Sequence, residues 1–403
     1  MKTIKKLLAV ILICIQTLQF SMVPNVLAEE TTTTPGTEQT SDTAVEVTAP
    51  SAILMEMTTG TVLYEKDADT ARPPASVTKV MTMLLIFDAL AEGKIQLEDE
   101  VTTSEYASSM GGSQVFLETG GKQTVETLLK CISVASANDA CVAMAEYISG
   151  NEEEFVRQMN LRAEGLGMKH THFVNCNGLD AEGHETSARD IALISRELLL
   201  KYPEIHNYCT IWMENITHTT AKGSSEFGLT NTNKLIKHYQ YATGLKTGFT
   251  NTAMYCISAT AKKDDMELIA VIMKAPTSTQ RFEDATNLLN YGFSTYTLEN
   301  VVPESALPPV PVSLGTQATV QPVLGENTHL LLEKAKAGSL QQLVTLADSV
   351  EAPVAAGSQL GTLTITSGEE VVAELPILAG EEIPRVTFGQ MLVQMLRTAF
   401  LCG

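Results

Sequence analysis

The stretch MYCISATAKKDDMELIAVIMKA, residues 254–275, contains two runs of strand-forming residues on either side of Lys263-Asp264-Asp265. Apolar and β-branched residues flanking a polar turn are typical of a β-hairpin. Residues 51–66, SAILMEMTTGTVLYEK, repeat this pattern around Thr58-Thr59-Gly60. The sequence between the two hairpins is mostly helical in pattern. It therefore predicts an α+β fold in which an antiparallel sheet is closed by strands from both ends of one domain.

The helices between the hairpins are predicted from the spacing of apolar side chains and from capping residues. Their bounds are 76–91, 124–134, 139–149, 152–165 after an Asn151 cap, and 187–201 after a Ser187 cap. The first of them continues as VMTMLLIFDAL, which is apolar nearly all round. A helix of this composition runs through the core. A further helix at 281–296 is expected to pack on the sheet.

Amino-acid composition and pattern divide the chain into five segments. Residues 1–28 have the basic start, apolar centre and small final residues of a secretory signal peptide, and residues 29–48 have the polar composition of a flexible tether. Residues 49–300 form the α+β domain, and residues 301–384, rich in proline and short β-type runs, predict a small all-β domain. Residues 385–403 predict an amphipathic helix in the membrane interface, with a helix docked on its own domain as the alternative.

Composition excludes several classes of function. The 403 residues include 47 acidic and only 27 basic ones, and the net charge of −20 argues against a nucleic-acid partner. The histidines of His170-Thr171-His172 and His184-Glu185 do not form the H-E-x-x-H pair of a metallopeptidase, so no metal or other cofactor is expected. The cysteines after the signal peptide fit no compact disulfide scaffold, and buried free thiols are expected. They are Cys131, Cys141, Cys176, Cys209, Cys256 and Cys402.

Ser76 and Lys79 stand at the start of the predicted core helix, in the sequence SVTK. Residues three apart share one helix face, so the hydroxyl and the amine can meet. Burial and the positive helix N-terminus both lower the pKa of a lysine at this position, which leaves a neutral amine able to accept the proton of Ser76. This pair predicts an activated serine nucleophile.

Two further motifs contain residues suited to a catalytic cleft. Ser136-Ala137-Asn138 interrupts a helical segment, because serine and asparagine compete for backbone hydrogen bonds. Lys246-Thr247-Gly248 comes directly before the second hairpin and is expected on a strand, where a cation and a hydroxyl suit a ligand's carboxylate. Taken singly, S-x-x-K is more typical of a capped helix with a surface lysine, and S-x-N of an interhelix turn. K-T-G alone is also compatible with a strand that has an exposed lysine.

The order S-x-x-K, S-x-N, K-T-G resembles the signature of penicillin-binding proteins and class A β-lactamases. The chain is similar to the low-molecular-mass penicillin-binding proteins that act as serine D-alanyl-D-alanine carboxypeptidases. The resemblance covers residues 45–400 and includes the stretches at 173–195 and 229–236, the small β-domain and the amphipathic tail. It implies a β-lactamase/transpeptidase-like domain, a role in peptidoglycan biosynthesis and cell shape, inhibition by β-lactams, and a location on the outer face of the cytoplasmic membrane.

The resemblance also implies a role for each motif residue. Ser76 attacks the carbonyl between the two terminal D-alanines of a stem peptide, and Lys79 is the general base. Ser136 relays the proton to the leaving D-alanine, and Asn138 orients Lys79. The substrate carboxylate is held by Lys246 and Thr247, after which come Gly248 and Phe249, and the backbone N–H groups of Ser76 and Phe249 form the oxyanion hole.

One position departs from this pattern. Some relatives have an arginine in the N-x-N segment that helps to bind the terminal carboxylate, and this chain has Thr232 there. By the resemblance, Arg281 is the other candidate cation.

Two other functions are compatible with these motifs. One is a β-lactamase, which usually has one domain and needs a device for rapid deacylation. The other is a non-catalytic β-lactam sensor anchored at the wall.

Overall fold

The computed structural model describes residues 45–220, 223–325 and 328–401. The predicted signal peptide, residues 29–44 of the predicted tether, and Cys402 lie outside the described residues. The strands are β1 Ser51–Glu56, β2 Val62–Lys66, β3 Glu100–Thr102, β4 Lys122–Thr124, β5 Met213–Thr220, β6 Gly223–Thr230, β7 Ala242–Thr250, β8 Met254–Lys263, β9 Met266–Ala275, β10 Tyr296–Asn300, β11 Val310–Ser313, β12 Thr319–Val320, β13 Pro322–Leu324, β14 His329–Glu333, β15 Leu340–Leu346, β16 Val350–Glu351, β17 Gln359–Ser367 and β18 Glu370–Ala379.

Helices fill the chain between β2 and β10 and recur near its end. The α-helices are α1 Lys79–Ala91, α2 Glu105–Ser108, α3 Val125–Lys130, α4 Asn138–Ser149, α5 Glu152–Gly165, α6 Ala188–Lys201, α7 His206–Cys209, α8 Leu235–His238, α9 Ser278–Thr295, α10 Lys334–Ala337 and α11 Phe388–Leu401. Short 3-10 turns form at Ala75–Thr78 and Pro203–Ile205, and a π-helical turn at Cys131–Ala135. The predicted caps are confirmed: Asn151 accepts from the N–H of Glu154, and Ser187 from that of Asp190.

The central sheet has the strand order β2-β1-β9-β8-β7. Both predicted hairpins are present, and β1 pairs antiparallel with β9, with Ser51 opposite Met273. The sheet is therefore closed by strands from the two ends of the domain, as predicted. This topology leaves β7, which contains the K-T-G motif, as an edge strand.

The sheet has an apolar cluster on each face. On one face lie α1 and α6, and the α1 side chains from Val80 to Phe87 are buried. On the opposite face α9 packs its buried residues, among them Leu288 and Phe293. Each such side chain contributes about 1.5–3 kcal/mol by leaving water. The core helix α1 is thus fixed under the sheet, with its N-terminus beside β7.

Residues just before the predicted start of the domain at 49 also pack against it. Residues 45–48 were assigned to the flexible tether, but Val47 is buried against the α9 face of the sheet. The N–H groups of Thr48 and Ala49 donate to the Asp284 carboxylate at 3.0 and 2.8 Å. Val47 and Thr48, which lie within the predicted tether, are therefore held against the domain by contacts with the sheet and with Asp284, which local composition does not reveal.

Residues after α9 form small sheets with two apolar clusters of their own. One sheet has the order β13-β18-β17-β15, and β10 pairs with β14 along Tyr296–Asn300. The Nζ of Lys334 donates to the carbonyl of Phe293, the last apolar residue of α9 in the central core. In the described part of the chain, no helix has both the length and the apolarity to cross a membrane.

Candidate active site

Ser76 lies in the 3-10 turn that leads into α1, and Lys79 is the first residue of that helix. Pro73 and Pro74 keep the preceding chain out of a helix, since proline lacks a backbone donor and restricts its neighbour. The Nζ of Lys79 is 3.0 Å from the Oγ of Ser76. The predicted meeting of hydroxyl and amine over one turn is therefore present in the structure.

The Lys79 amine is completely buried and has two further partners. Its Nζ lies 2.6 Å from the Oδ1 of Asn138 and 2.5 Å from the backbone carbonyl of Asn177. Burial lowers the pKa of Lys79, and the weaker influence of Cys141, Cys176 and Asp139 opposes the shift. The predicted direction of the shift is confirmed.

Ser136 and Asn138 lie where the π-helical turn at Cys131–Ala135 gives way to α4. Ser136 has the left-handed backbone angles φ 63° and ψ 32°, which end the helical run. Its Oγ is buried, with no hydrogen-bond partner among the described residues. Asn138 is fixed from two sides, because its Nδ2 donates to the carbonyl of Gly111 and its backbone N–H to that of Ser113, both at 2.7 Å.

Lys246 and Thr247 are both buried on β7. The Nζ of Lys246 donates to the carbonyl of Thr247 at 3.0 Å. Burial holds the pKa of Lys246 well below its usual range, and the nearby positive charge of Lys79 lowers it further. The Oγ1 of Thr247 donates to that of Thr232 at 2.7 Å, so the threonine of the N-x-N segment lies beside the K-T-G strand.

Gly248 brings β7 against the turn that carries Ser76. A Cβ atom at Gly248 would lie 2.9 Å from the carbonyl oxygen of Pro74 and 3.0 Å from the backbone nitrogen of Ser76. Only glycine allows so close an approach. Phe249 follows, with 48% of its surface exposed and its ring centroid 4.5 Å from that of Tyr255.

Arg281 reaches the site from the first turn of α9, on the opposite face of the sheet. Its Nη1 donates to the backbone carbonyls of Gly248 and Cys256, at 3.1 and 3.2 Å. The side chain is buried, with 6% of its surface exposed. The guanidinium predicted to bind a substrate carboxylate is thus bonded to the backbone of two neighbouring strands.

The structure therefore brings the three motifs together. Ser76, Lys79 and Asn138 form one hydrogen-bonded chain, and Gly248 packs directly on the Ser76 turn. None of the cysteines that the structure describes belongs to this hydrogen-bonded chain. The five that the structure describes are buried free thiols, as predicted, and burial raises the pKa of both Cys141 and Cys256 to about 11.

Comparison with known proteins identifies the family. The peptidase S11 family model, described as D-alanyl-D-alanine carboxypeptidase, matches residues 37–277. The chain is 42% identical over 386 residues to the D-alanyl-D-alanine carboxypeptidase DacF of Bacillus subtilis, covering 95% of this chain and 96% of DacF. The chain belongs to the D-alanyl-D-alanine carboxypeptidase family. It is accordingly a serine hydrolase of the penicillin-binding protein class.

Other relatives cover both parts of this carboxypeptidase. It is 30% identical to DacA of Escherichia coli, over 88% of each chain. The model of the penicillin-binding protein 5 C-terminal domain matches residues 298–385. The solved structure of penicillin-binding protein 5 from Haemophilus influenzae superposes with a TM-score of 0.73 at 29% identity, covering 84% of this chain and 98% of that one. These findings favour the carboxypeptidase over the β-lactamase and sensor alternatives.

Some residues of the carboxypeptidase site were missed in the sequence. Asn177 contributes a backbone carbonyl, and a backbone group has no side-chain signature. Asp139 accepts from the N–H groups of Val115 and Leu117 and so fixes the loop next to Asn138. For Asn177, the sequence offered one signal: the turn-forming composition of NCNGLD at 175–180, where Asn and Gly favour tight, hydrogen-bonded turns.

Proposed function

We propose that this carboxypeptidase removes the terminal D-alanine from peptidoglycan stem peptides through an acyl ester on Ser76. One observation carries the proposal: the buried Lys79 amine lies 3.0 Å from the Ser76 hydroxyl. Its position is fixed by the Asn138 side chain and the Asn177 carbonyl. A nucleophile with a positioned base within hydrogen-bond reach is the arrangement that acyl transfer needs.

The two fixed acceptors explain how the lysine acts as a base. A neutral amine has two N–H bonds and one lone pair. The two N–H groups donate to the Asn138 side chain and the Asn177 carbonyl. The lone pair is therefore directed at the third partner, the Ser76 hydroxyl. Burial lowers the pKa of Lys79, which favours this neutral form.

The reaction then proceeds in two steps. In the first, the Ser76 Oγ attacks the carbonyl carbon of the penultimate D-alanine and gives its proton to Lys79. The bond to the terminal D-alanine breaks, and Ser136 passes the proton to the leaving nitrogen. The buried Ser136 hydroxyl suits this relay, since it has no hydrogen-bond partner among the described residues. In the second step, water attacks the ester, the shortened peptide leaves, and Ser76 regains its proton.

The K-T-G strand binds the substrate and stabilises the transition state. The backbone N–H groups of Ser76 and Phe249 donate to the developing oxyanion, because Gly248 lets β7 approach the Ser76 turn. Lys246 and Thr247 hold the terminal carboxylate. Thr232 hydrogen-bonds Thr247 and helps to orient it.

The proposal extends to organisation and location. Residues 49–300 form the peptidase domain, 301–384 the β-rich domain and 385–403 a membrane-anchor helix. The enzyme is exported by means of residues 1–28, which are removed in the process, and acts at the outer face of the cytoplasmic membrane. The substrate supports this location, because peptidoglycan lies outside the cytoplasm. The apolar residues exposed on α11 support the anchor.

Incubation with labelled benzylpenicillin tests the mechanism, since a β-lactam carbonyl mimics the scissile amide. The expected result is a stable ester that peptide mass mapping places on Ser76, together with D-alanine release from a diacyl pentapeptide. A Ser76→Ala variant serves as the control and should do neither. An adduct on another residue would overturn the assignment, and fast release of hydrolysed penicillin would favour a β-lactamase. An adduct without D-alanine release would favour a sensor.

A further inference from the structure

Arg281 is a buried cation without an acidic partner in the part of the chain that the structure describes. Its hydrogen-bond acceptors there are the carbonyls of Gly248 and Cys256 and, at 3.4 Å, the Ser278 hydroxyl. The guanidinium carbon lies 4.4 Å from the ring centroid of Phe282 and 5.6 Å from that of Tyr255. Burial lowers the pKa of Arg281 to about 10, so the charge persists at neutral pH. A buried charge that lacks a counterion costs stability.

The position of the two carbonyls indicates a function for this costly buried charge. The carbonyl of Gly248 and the N–H of Phe249 belong to one peptide unit, and in a trans peptide these groups point in opposite directions. The bond from Arg281 therefore turns the Phe249 N–H away from α9. On the other side of the strand lies the Ser76 turn, whose backbone nitrogen would be 3.0 Å from a Cβ at Gly248.

Charge adds to the effect of orientation. A cation that donates to a carbonyl draws electron density toward its oxygen, and hydrogen bonds in series polarise one another. The Phe249 N–H becomes a stronger donor to an anion. Two hydrogen bonds in series connect the positive charge to the oxyanion: one from Arg281 to the Gly248 carbonyl, and one from the Phe249 N–H to the oxyanion. Electrostatic interactions of this kind are strong in a buried environment.

We infer that Arg281 is a positioning residue for the oxyanion hole: from the far side of the sheet it fixes and polarises the Gly248–Phe249 peptide unit rather than binding the substrate carboxylate. The inference rests on the proposed acyl-enzyme function and adds a residue that acts through the backbone. It also explains why the guanidinium is buried among aromatic rings instead of reaching into the cleft.

The rate of acylation by benzylpenicillin measures the effect. Arg281→Met is expected to lower the acylation rate constant about tenfold, less than the 10²–10³ that loss of a whole oxyanion donor costs, because the Phe249 N–H remains but is less well oriented and polarised. The affinity of the preceding noncovalent complex should change little. Arg281→Lys, which keeps a cation able to donate to one carbonyl, should recover part of the rate.

Arg196 provides a matched control. Its Nε and Nη2 donate to the carbonyls of Met57 and Thr58 at 2.6 and 2.8 Å, in the turn between β1 and β2. Arg196→Met removes a comparable pair of arginine-to-carbonyl bonds at a site away from Ser76. Both variants should lower the melting temperature, but only Arg281→Met should slow acylation of the folded protein.

Two readouts separate positioning from carboxylate binding and from a purely structural role. The penicilloyl ester, labelled with carbon-13 at its carbonyl, should absorb at higher infrared frequency in Arg281→Met, because the oxyanion hole polarises the carbonyl less. This measurement needs only the folded, acylated fraction. The methyl ester of benzylpenicillin, which lacks the carboxylate charge, should show the same fold-loss as benzylpenicillin itself.

Each outcome discriminates. A loss confined to benzylpenicillin would assign Arg281 to the carboxylate and overturn the inference. An unchanged carbonyl frequency, with a normal ester on Ser76 of the native enzyme, would overturn the role of Arg281 alone. The absence of any ester on native Ser76 would overturn the proposed function as well.

Discussion

Lys79 can accept a proton only when its amine is neutral, and its surroundings favour that form. The side chain is buried, and burial lowers its pKa. The neighbouring cation Lys246 has a lowered pKa for the same reason, made larger by the charge of Lys79. A positive charge on either lysine therefore disfavours a charge on the other. The general-base role proposed for Lys79 requires that Lys79 is the neutral amine and that Lys246 carries the charge.

Lys79→Arg tests this requirement, because it keeps the positive charge and removes the base. A guanidinium stays protonated at neutral pH and has no lone pair to accept the Ser76 proton. We expect acylation by penicillin to fall at least 100-fold, as general-base catalysis typically contributes 10²–10⁴ in rate. The measurement is the acylation rate at neutral pH, with folding checked by circular dichroism.

The same substitution at Lys246 is the control. Its proposed role is electrostatic, so Lys246→Arg should lose less activity than Lys79→Arg. If Lys79→Arg acylated within about tenfold of the native rate, roughly 1.4 kcal/mol of barrier, the general-base role would be refuted.

At the scale of elements, the loop at 172–186 connects the core to Lys79, the proposed catalytic base. His184 Nδ1 accepts from the N–H of Val174 at 2.9 Å, and its Nε2 lies 2.8 Å from the Oγ1 of Thr78. The Thr78 hydroxyl donates to the Ala75 carbonyl, so His184 is neutral with its proton on Nε2. This histidine thereby holds the loop that supplies the Asn177 carbonyl against the turn that carries Ser76.

The titration of His184 should make stability depend on pH. Burial lowers its pKa to about 4 from the usual 6.5, and His172 adds a smaller effect. Between these values the unfolded chain binds a proton that the folded one does not, so stability falls as pH falls from about 6.5 to 4. The full shift corresponds to about 3 kcal/mol.

Urea unfolding from pH 4 to 7 measures this slope. We expect His184→Gln to unfold more easily at pH 7 but to show a shallower dependence on pH than the native protein. His170, an exposed histidine, provides the control: His170→Gln should keep the native slope. A native slope in His184→Gln would show that other groups cause the acid sensitivity.

The sequence predicted elements with strong local patterns and missed those fixed by distant contacts. Both hairpins of the central sheet and the caps of α5 and α6 were predicted, because alternation and capping are local signals. The hairpin of β5 and β6 was missed, because MENITHTT and GSSEFGLT show little apolar alternation. The pairing of β5 with β6, and the packing of β6 beside the π-helical turn, set the register of this hairpin.

The proposed nucleophile and base could be predicted because their relation is local as well. Ser76 and Lys79 are three residues apart, so helix geometry alone brings them together. The orientation of Arg281 depends instead on α9 packing across the sheet from the cleft, over a separation that no local pattern records. The Asn177 carbonyl depends on the path of a loop, which sequence spacing does not specify.

At the scale of the whole molecule, α11 differs from the other long helices in where its apolar side chains point. Phe388, Leu392, Met395 and Leu396 are exposed, and their spacing places them on one face. The chain just before the helix is fixed to the β-rich part: Val386 donates to the carbonyl of Leu314. Arg385 pairs with Glu351 at 3.1 Å. The boundary for a truncation is therefore better placed at 388 than at 385.

We expect removal of residues 388–403 to release active enzyme from phosphatidylcholine vesicles that bind the full mature chain. A face of apolar residues inserts into the membrane interface, and burying one leucine contributes about 2 kcal/mol. Leu392→Asp with Leu396→Asp should therefore weaken vesicle binding at least 100-fold, whereas Gln390→Glu, a charge added at a polar position of the same helix, should have little effect. Because the chain has a net charge of −20, anionic lipid should not strengthen the attachment.

Cosedimentation gives the affinities, and penicillin acylation confirms that each variant is folded. If the truncated enzyme still sediments with vesicles, α11 is not the anchor; if binding requires anionic lipid, attachment is electrostatic and does not depend on this apolar face.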